Sequence, residues 1–426
     1  MRYGETGGRL PRRSFQRRRV DVSAFAMNLT SPRLIGLALL LFLPPLHARE
    51  PQTSPPPTQQ VVRARALGIP FDGTPGTLNA ITDVAGVEVG YSTIVSGDGK
   101  LEVGKGPVRT GVTAILPRGR KSFDDPVYAG YFSLNGNGEM TGTAWIEESG
   151  FLEGPVMITN THSVGVVRDA TIAWRVAQAG PDPTGFSWSL PVVAETWDGY
   201  LNDINGFHVK PEHVLNALNT AKPGPVEEGS VGGGTGMVTY EFKGGNGTSS
   251  RIIAMKKGGP TVPTYTVGAF VQANCGRRQQ LTIAGVPIGK EMLENAVFTK
   301  ENGSIIIVIA TDAPLLPHQL KRLARRASLG LARTGSVSGN GSGDLFLAFS
   351  TANPGAADPA EPTRSVQTIP NDRLDAIFNA TVEATEEAIV NALVANQGMT
   401  GRDGHRIDAL PHARVRELLK KYNRAR

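Results

Sequence analysis

In "NGSIIIVIATD" a serine follows a glycine directly and precedes a long apolar run, at Gly303-Ser304. Ile305 to Val308, and then Ile309, form a β-branched run suited to a buried strand. A strand needs no bare Gly-Ser entrance, so chemistry at the junction comes into question. A serine hydroxyl is a weak nucleophile and needs a base. No GxSxG elbow occurs, and no His/Asp partner is evident. Cutting the Gly303–Ser304 bond would supply a base, because Ser304 would gain an α-amine beside its own hydroxyl. Such an amine has a reference pKa of about 7.7–8.0, suited to a base at neutral pH. The cut could be autocatalytic: Ser304 Oγ attacks the Gly303 carbonyl, and water hydrolyses the resulting ester. Glycine leaves that carbonyl open and tolerates a strained backbone. From these residues alone, a turn feeding a strand remains the simpler account.

Other reactive residue types are sparse. Cys275 is the single cysteine, which excludes an intrachain disulfide framework and a Cys-cluster metal site. In "FVQANCG" it reads as a small buried residue at a strand end. The seven histidines show neither HExxH nor paired spacing, so neither a metal nor a cofactor is implied. His162, in "TNTHSVG", reads as a structural hydrogen-bonding residue. The glycine-rich "EEGSVGGGTGMVTYEFKGGNGTSSR" lacks GxxxxGK[ST], and Gly232 to Gly234 lead into "MVTYEF", which reads as a strand. The glycines there fit positive φ or close backbone approach rather than phosphate binding.

The elements that must position these residues are legible as periodicity. "GVEVGYSTI", "GVTAILP", "GPVMITNT", "SRIIAMKK", "TYTVGAFVQAN" and "SIIIVIAT" read as strands between glycine-rich turns. "GVVRDATIAWRVAQ" has helical spacing. "LPHQLKRLARRASLGLART" puts Leu320, Leu323, Ala324 and Ala327 on one face. "NDRLDAIFNATVEATEEAIVNALVANQ" predicts a long helix capped by Asn371 or Asp372. This mixture predicts an α/β fold with helices layered on sheet, as one domain over 62–426.

Charge divides the chain unevenly. Residues 1–50 hold nine Lys or Arg and three acidic residues, which accounts for the whole net charge of +6. The remainder carries 35 of each sign, so a basic nucleic-acid footprint on the folded part is excluded. Within residues 1–48, Arg33, the apolar run Leu34 to Leu43 and Ala48 read as a cleaved export signal, too short to span a bilayer comfortably. Residues 49–61 form a Pro-rich linker. A periplasmic or secreted protein, free of the membrane once the signal is removed, is the expectation.

Several ordered motifs sharpen the reading: "NGSIIIVIATDAPLLPHQLKRLARRA", "SGNGSGDLFLAFST", "VGAFVQANCG", "AETWDGYLND" and "SLNGNGEMTG". Together they closely resemble the DmpA-type family of L-aminopeptidase/D-esterase/amidases, which includes the β-peptidyl aminopeptidases. The resemblance runs from about Leu67 to near Gln397. It implies a layered α/β/β/α sandwich of the N-terminal-nucleophile type, shared with ornithine acetyltransferases. It implies self-cleavage between Gly303 and Ser304 into a large fragment ending at 303 and a small one over 304–426, which stay associated. It also implies homotetramers of processed units and short peptide, amide or ester substrates. By the same resemblance Ser304 is the nucleophile, and Ser342 hydrogen-bonds the new terminus. Asp344 holds the amine or orients Ser342. Asn274 donates to the oxyanion, and Tyr200 lines the site. Asp198 or Glu139 is the candidate for binding the substrate's ammonium. Loops such as "KKGGPTVPT" and "RRQQLTIAG" would shape specificity. An acyltransferase like the ornithine acetyltransferases, or a non-catalytic periplasmic binding protein, are the competing readings; serine at the junction argues against the first.

Overall fold

The structure is a computed structural model that describes residues 62–426 except 121–122, 180–181, 186–187, 256–262, 301–302, 361 and 426. The signal and linker readings, over 1–48 and 49–61, lie outside the described residues, as does most of the "KKGGPTVPT" loop. The described residues group as one compact unit.

Twelve strands and five helices position the site. In chain order they are β1 (Glu88–Ser96), β2 (Val108–Arg120), β3 (Val127–Gly136), α1 (Thr143–Ser149), β4 (Phe151–Leu152), β5 (Val156–Asn160) and α2 (Val164–Ala179). Then come β6 (Val192–Thr196), α3 (Pro211–Thr220), β7 (Val238–Thr239), β8 (Phe242–Lys243), β9 (Gly245–Ala254) and β10 (Thr264–Asn274). β11 (Ser304–Thr311), α4 (Pro317–Arg333), β12 (Gly343–Ser350) and α5 (Asp375–Val394) complete the set. One sheet has the order β1-β2-β5-β6 and the other β4-β3-β12-β11-β10-β9.

Side-chain alternation along the strands builds the layers. On β11, Ile305, Ile307 and Ile309 join the core beneath α4 and α5. Ile306, Val308 and Ala310 face the other way and meet Ile115, Ile158 and Val192 of the smaller sheet. On β2, Val112, Ala114 and Leu116 turn outward to Trp174 of α2 and Val214 of α3. The result is the expected α/β/β/α sandwich. All eight residues of β11 are buried, and each of its Ile or Val side chains contributes roughly 1.5–3 kcal/mol of transfer free energy. Ser304 therefore begins one of the most firmly anchored strands in the molecule.

Two local expectations need correction. "MVTYEF" is not one strand but a hairpin of β7 and β8, turning through Tyr240 and Glu241 at φ of 51° and 61°. Tertiary bonds impose that turn. Glu241 accepts from Arg277 Nε and from the backbone N–H of Arg278, Val297 and Phe298, while the Tyr240 hydroxyl pairs with Thr334. The long helix begins at Asp375, and no side chain caps it. Asn371 to Arg373 form a separate 3-10 turn, and Asn371 Oδ1 accepts instead from Gln319 and Arg322.

Candidate active site

Strand register brings the first residue of β11 between two others. Ser304 lies opposite Asn274 at the end of antiparallel β10, and opposite Gly343 at the start of parallel β12. The Gly343 N–H donates to Ser304 Oγ at 3.1 Å. Ser342, just before β12, and Asp344, its second residue, flank that glycine. Ser342 Oγ donates to Asp344 Oδ1 at 2.7 Å, and both side chains are fully buried. Gly343 has no room for a side chain, since a Cβ there would stand 2.4 Å from Asn137 O. The structure thus brings together Ser304, Ser342, Asp344 and Asn274.

The Asn274 amide is held at both ends. Its Oδ1 accepts from Val238 N at 2.7 Å, and its Nδ2 donates to Trp197 O at 2.8 Å. That fixes which end is which and leaves a second Nδ2 hydrogen for a group in the cleft. Asn274, Trp197, Tyr200, Val238, Phe298 and Gly303 line a narrow cleft with room for about one water molecule. The Tyr200 ring stacks on His405 at 4.5 Å and meets Phe298 edge-on at 5.0 Å. Desolvation raises the Tyr200 pKa, opposed in part by Arg402, so its hydroxyl is a neutral donor at neutral pH. Cys275 is buried and also borders the cleft. His162 stacks on Phe207 at 6.0 Å and lies near enough to Glu195 for its charge to be felt there.

The two acidic candidates for the substrate ammonium occupy different surroundings. Asp198 is 1% exposed and does not border the cleft; Asn202 Nδ2 donates to its Oδ1 at 3.0 Å. Burial pushes its carboxyl up to about 7, against the hydrogen bonds of Thr110, Asn202 and Asn160. Glu139 is exposed, and its backbone N–H donates to Glu195 Oε1 at 3.0 Å. Glu195 is a residue that sequence reasoning passed over, although it stands in the quoted "AETWDG". Its one signal is an acid near the end of the apolar "VVAET". It is 3% exposed and accepts from the Thr161 hydroxyl at 2.5 Å. Desolvation raises its pKa. A Cβ on Gly138 would meet Glu195 Oε1 and Gly343 Cα at 3.2 Å each, so only that glycine separates the carboxylate from Ser304's strand partner. Among the described residues no three His, Cys, Asp or Glu side chains cluster as a metal site.

A four-layer sandwich with a serine opening an inner strand defines the class of N-terminal-nucleophile hydrolases. The chain belongs to peptidase family S58, whose profile matches residues 79–407, and it is a serine aminopeptidase of that fold. It is 56% identical over 377 residues to the β-peptidyl aminopeptidase BapA of Sphingosinicella microcystinivorans, covering 85% of this chain and 93% of that one. Among solved structures it resembles the L-aminopeptidase D-Ala-esterase/amidase of Ochrobactrum anthropi, described as a prototype for the serine aminopeptidases. The TM-score is 0.80 at 49% identity, over 85% of this chain and 99% of that one. A β-aminopeptidase of Burkholderia sp. gives a TM-score of 0.77 at 49% identity, over 84% and 99%.

Proposed function

We propose that the chain matures by cutting itself between Gly303 and Ser304, and then releases N-terminal residues from short peptides, amides and esters. Ser304 Oγ attacks the Gly303 carbonyl carbon, the C–N bond breaks, and the Ser304 nitrogen takes up the proton as a free amine. Water then hydrolyses the ester, leaving a Gly303 carboxylate and the Ser304 hydroxyl. In turnover the amine accepts the Oγ proton as Oγ adds to the substrate carbonyl and passes it to the departing amine or alcohol, and water then hydrolyses the acyl-Ser304 ester to free the N-terminal residue. Asn274 Nδ2 and the Tyr200 hydroxyl supply neutral donors for the oxyanion. Asp344, bonded to Ser342, raises the affinity of the amine for its proton through opposite charge. Glu195, one glycine away from Ser304's strand partner, is the carboxylate proposed to meet the substrate's ammonium. Substrates with an N-terminal β-amino acid head the list, supported by the likeness to the two β-aminopeptidases.

The observation that carries this reading is the position of Ser304: its Oγ is fixed by Gly343 N–H at the start of a buried strand, with Gly303 pressed into the cleft. Intact-mass measurement and N-terminal sequencing of purified protein test it. Two fragments are expected, one beginning "SIIIVIATD", together with a single inactive chain for Ser304→Ala. An uncut wild-type chain after long incubation at neutral pH would overturn it. The same reading carries an exported protein whose processed units assemble as homotetramers, which light scattering of the mature enzyme tests.

A further inference from the structure

The peptide group that holds Asn274 Oδ1 is itself held by a buried lysine. Val238 N–H donates to Asn274, and the carbonyl of the same peptide unit, Met237 O, accepts from Lys243 Nζ at 2.9 Å. Nζ also donates to Gly244 O at 2.7 Å. Lys243 is fully buried. Burial alone pulls its ammonium down to about 7, with no carboxylate contributing. Lysine is almost never fully buried unless paired, and desolvating it costs several kcal/mol. The tight β7–β8 turn through Tyr240 and Glu241 folds this lysine back onto Met237.

We infer that Lys243 is a positioning residue for the reaction: through the Met237–Val238 peptide it orients and polarises the Asn274 amide toward the cleft. A donor on the carbonyl of an amide strengthens that amide's own N–H, by about 10–30% per bond in a chain. Two amides lie in series here, the peptide and the Asn274 side chain, so the gain arrives at Asn274 Nδ2–H. A stronger donor there stabilises developing negative charge more than the neutral carbonyl of bound substrate. This deepens, and rests on, the reading of Asn274 as oxyanion donor.

The test is a double-mutant cycle on the processed enzyme, with an N-terminal β-amino acid p-nitroanilide as substrate. Lys243→Met is expected to lower kcat by about tenfold with KM little changed, and to have almost no effect once Asn274→Ala is present. Additive losses, a loss confined to KM, or an unchanged kcat would overturn the assignment. Should Lys243→Met fail to fold or mature, Lys243→Gln replaces it, retaining an NH₂ donor; a smaller kcat loss that also vanishes with Asn274→Ala is expected, and an additive one overturns the relay. An unchanged kcat for Asn274→Ala alone removes the oxyanion reading itself, whereas a lowered kcat with additive losses removes only the role of Lys243.

Discussion

Gly303 lies so close to Asn274 that a Cβ on the glycine would stand 1.9 Å from the Asn274 carbonyl oxygen. The residue before Ser304 is thus packed against the backbone of the residue proposed to serve the oxyanion. Gly303→Ala forces either that residue or the end of β10 to move, at a cost of about 1–3 kcal/mol. Self-cleavage should slow by about tenfold or more, followed by gel electrophoresis over time. Once cut, position 303 is a chain end, so kcat per processed chain should match wild type. Processing at the wild-type rate would show that the close contact is irrelevant to maturation.

Asn274→Ala removes a neutral donor from the cleft wall. A fall in kcat of about 10²–10³ is expected, with KM far less affected. Steady-state kinetics on the processed enzyme decide the matter. A rise in KM with kcat unchanged would return Asn274 to holding Val238 and Trp197 together.

Association of the two proposed fragments has a specific clasp. Glu387 of α5 is fully buried and accepts from Arg65 Nε at 2.8 Å, Arg65 Nη2 at 2.7 Å and Asn79 Nδ2 at 2.6 Å. Arg251 Nη2 pairs with it at 2.8 Å and is 1% exposed. All three partners precede the junction, and Glu387 follows it. Glu387→Ala leaves the Arg251 guanidinium buried without this counter-ion, which costs about 3–5 kcal/mol. A clearly lower urea midpoint is expected; an unchanged one would refute the clasp.

Asp198 gives the stability a pH dependence of known sign. Burial raises its carboxyl from the ordinary 3.8 to about 7, so the folded chain holds that proton more tightly than the unfolded chain. The resulting stability is fully present below the unfolded value, falls as pH rises, and is gone above about pH 7. Asp198→Asn removes the titration. Its stability relative to wild type should therefore improve between about pH 4 and pH 8, by a few kcal/mol at most. Urea unfolding of both proteins at the two pH values checks this, and a constant difference would contradict it.

For Glu195 the expected signature is in substrate choice. Glu195→Gln should raise KM by about tenfold for substrates with a free ammonium, since a charge-assisted bond is lost. N-acetylated analogues should show little change. Equal losses on both would return Glu195 to bracing Thr161 and the Glu139 backbone.

Much of the fold was legible because burial enforces periodicity. The run Ile305 to Ile309 announced a strand buried on both faces, and Leu320, Leu323, Ala324 and Ala327 announced the buried face of α4. The hairpin at Tyr240 and Glu241 was hidden, because its turn depends on Arg277, Arg278 and Thr334, distant in the chain. The helix cap failed for the same reason: Asn371 finds better partners in Gln319 and Arg322. Glu195 stood inside the quoted "AETWDGYLND" without a spacing that marked it out, and Lys243 carried no local motif.

By itself the sequence determined the mixture of strands and helices through local spacing, and through its ordered motifs the family, whose likeness implies the layered architecture; a cut at Gly303-Ser304 is a proposal drawn from that likeness. Only the tertiary structure decided which polar groups meet. Asn274, Ser304 and Gly343 become neighbours through strand register, Ser342 and Asp344 pair beside them, and Asp198 is drawn away into Thr110, Asn160 and Asn202. Hydrogen-bond partners and desolvation depend on surroundings assembled from distant segments, and no local pattern encodes them.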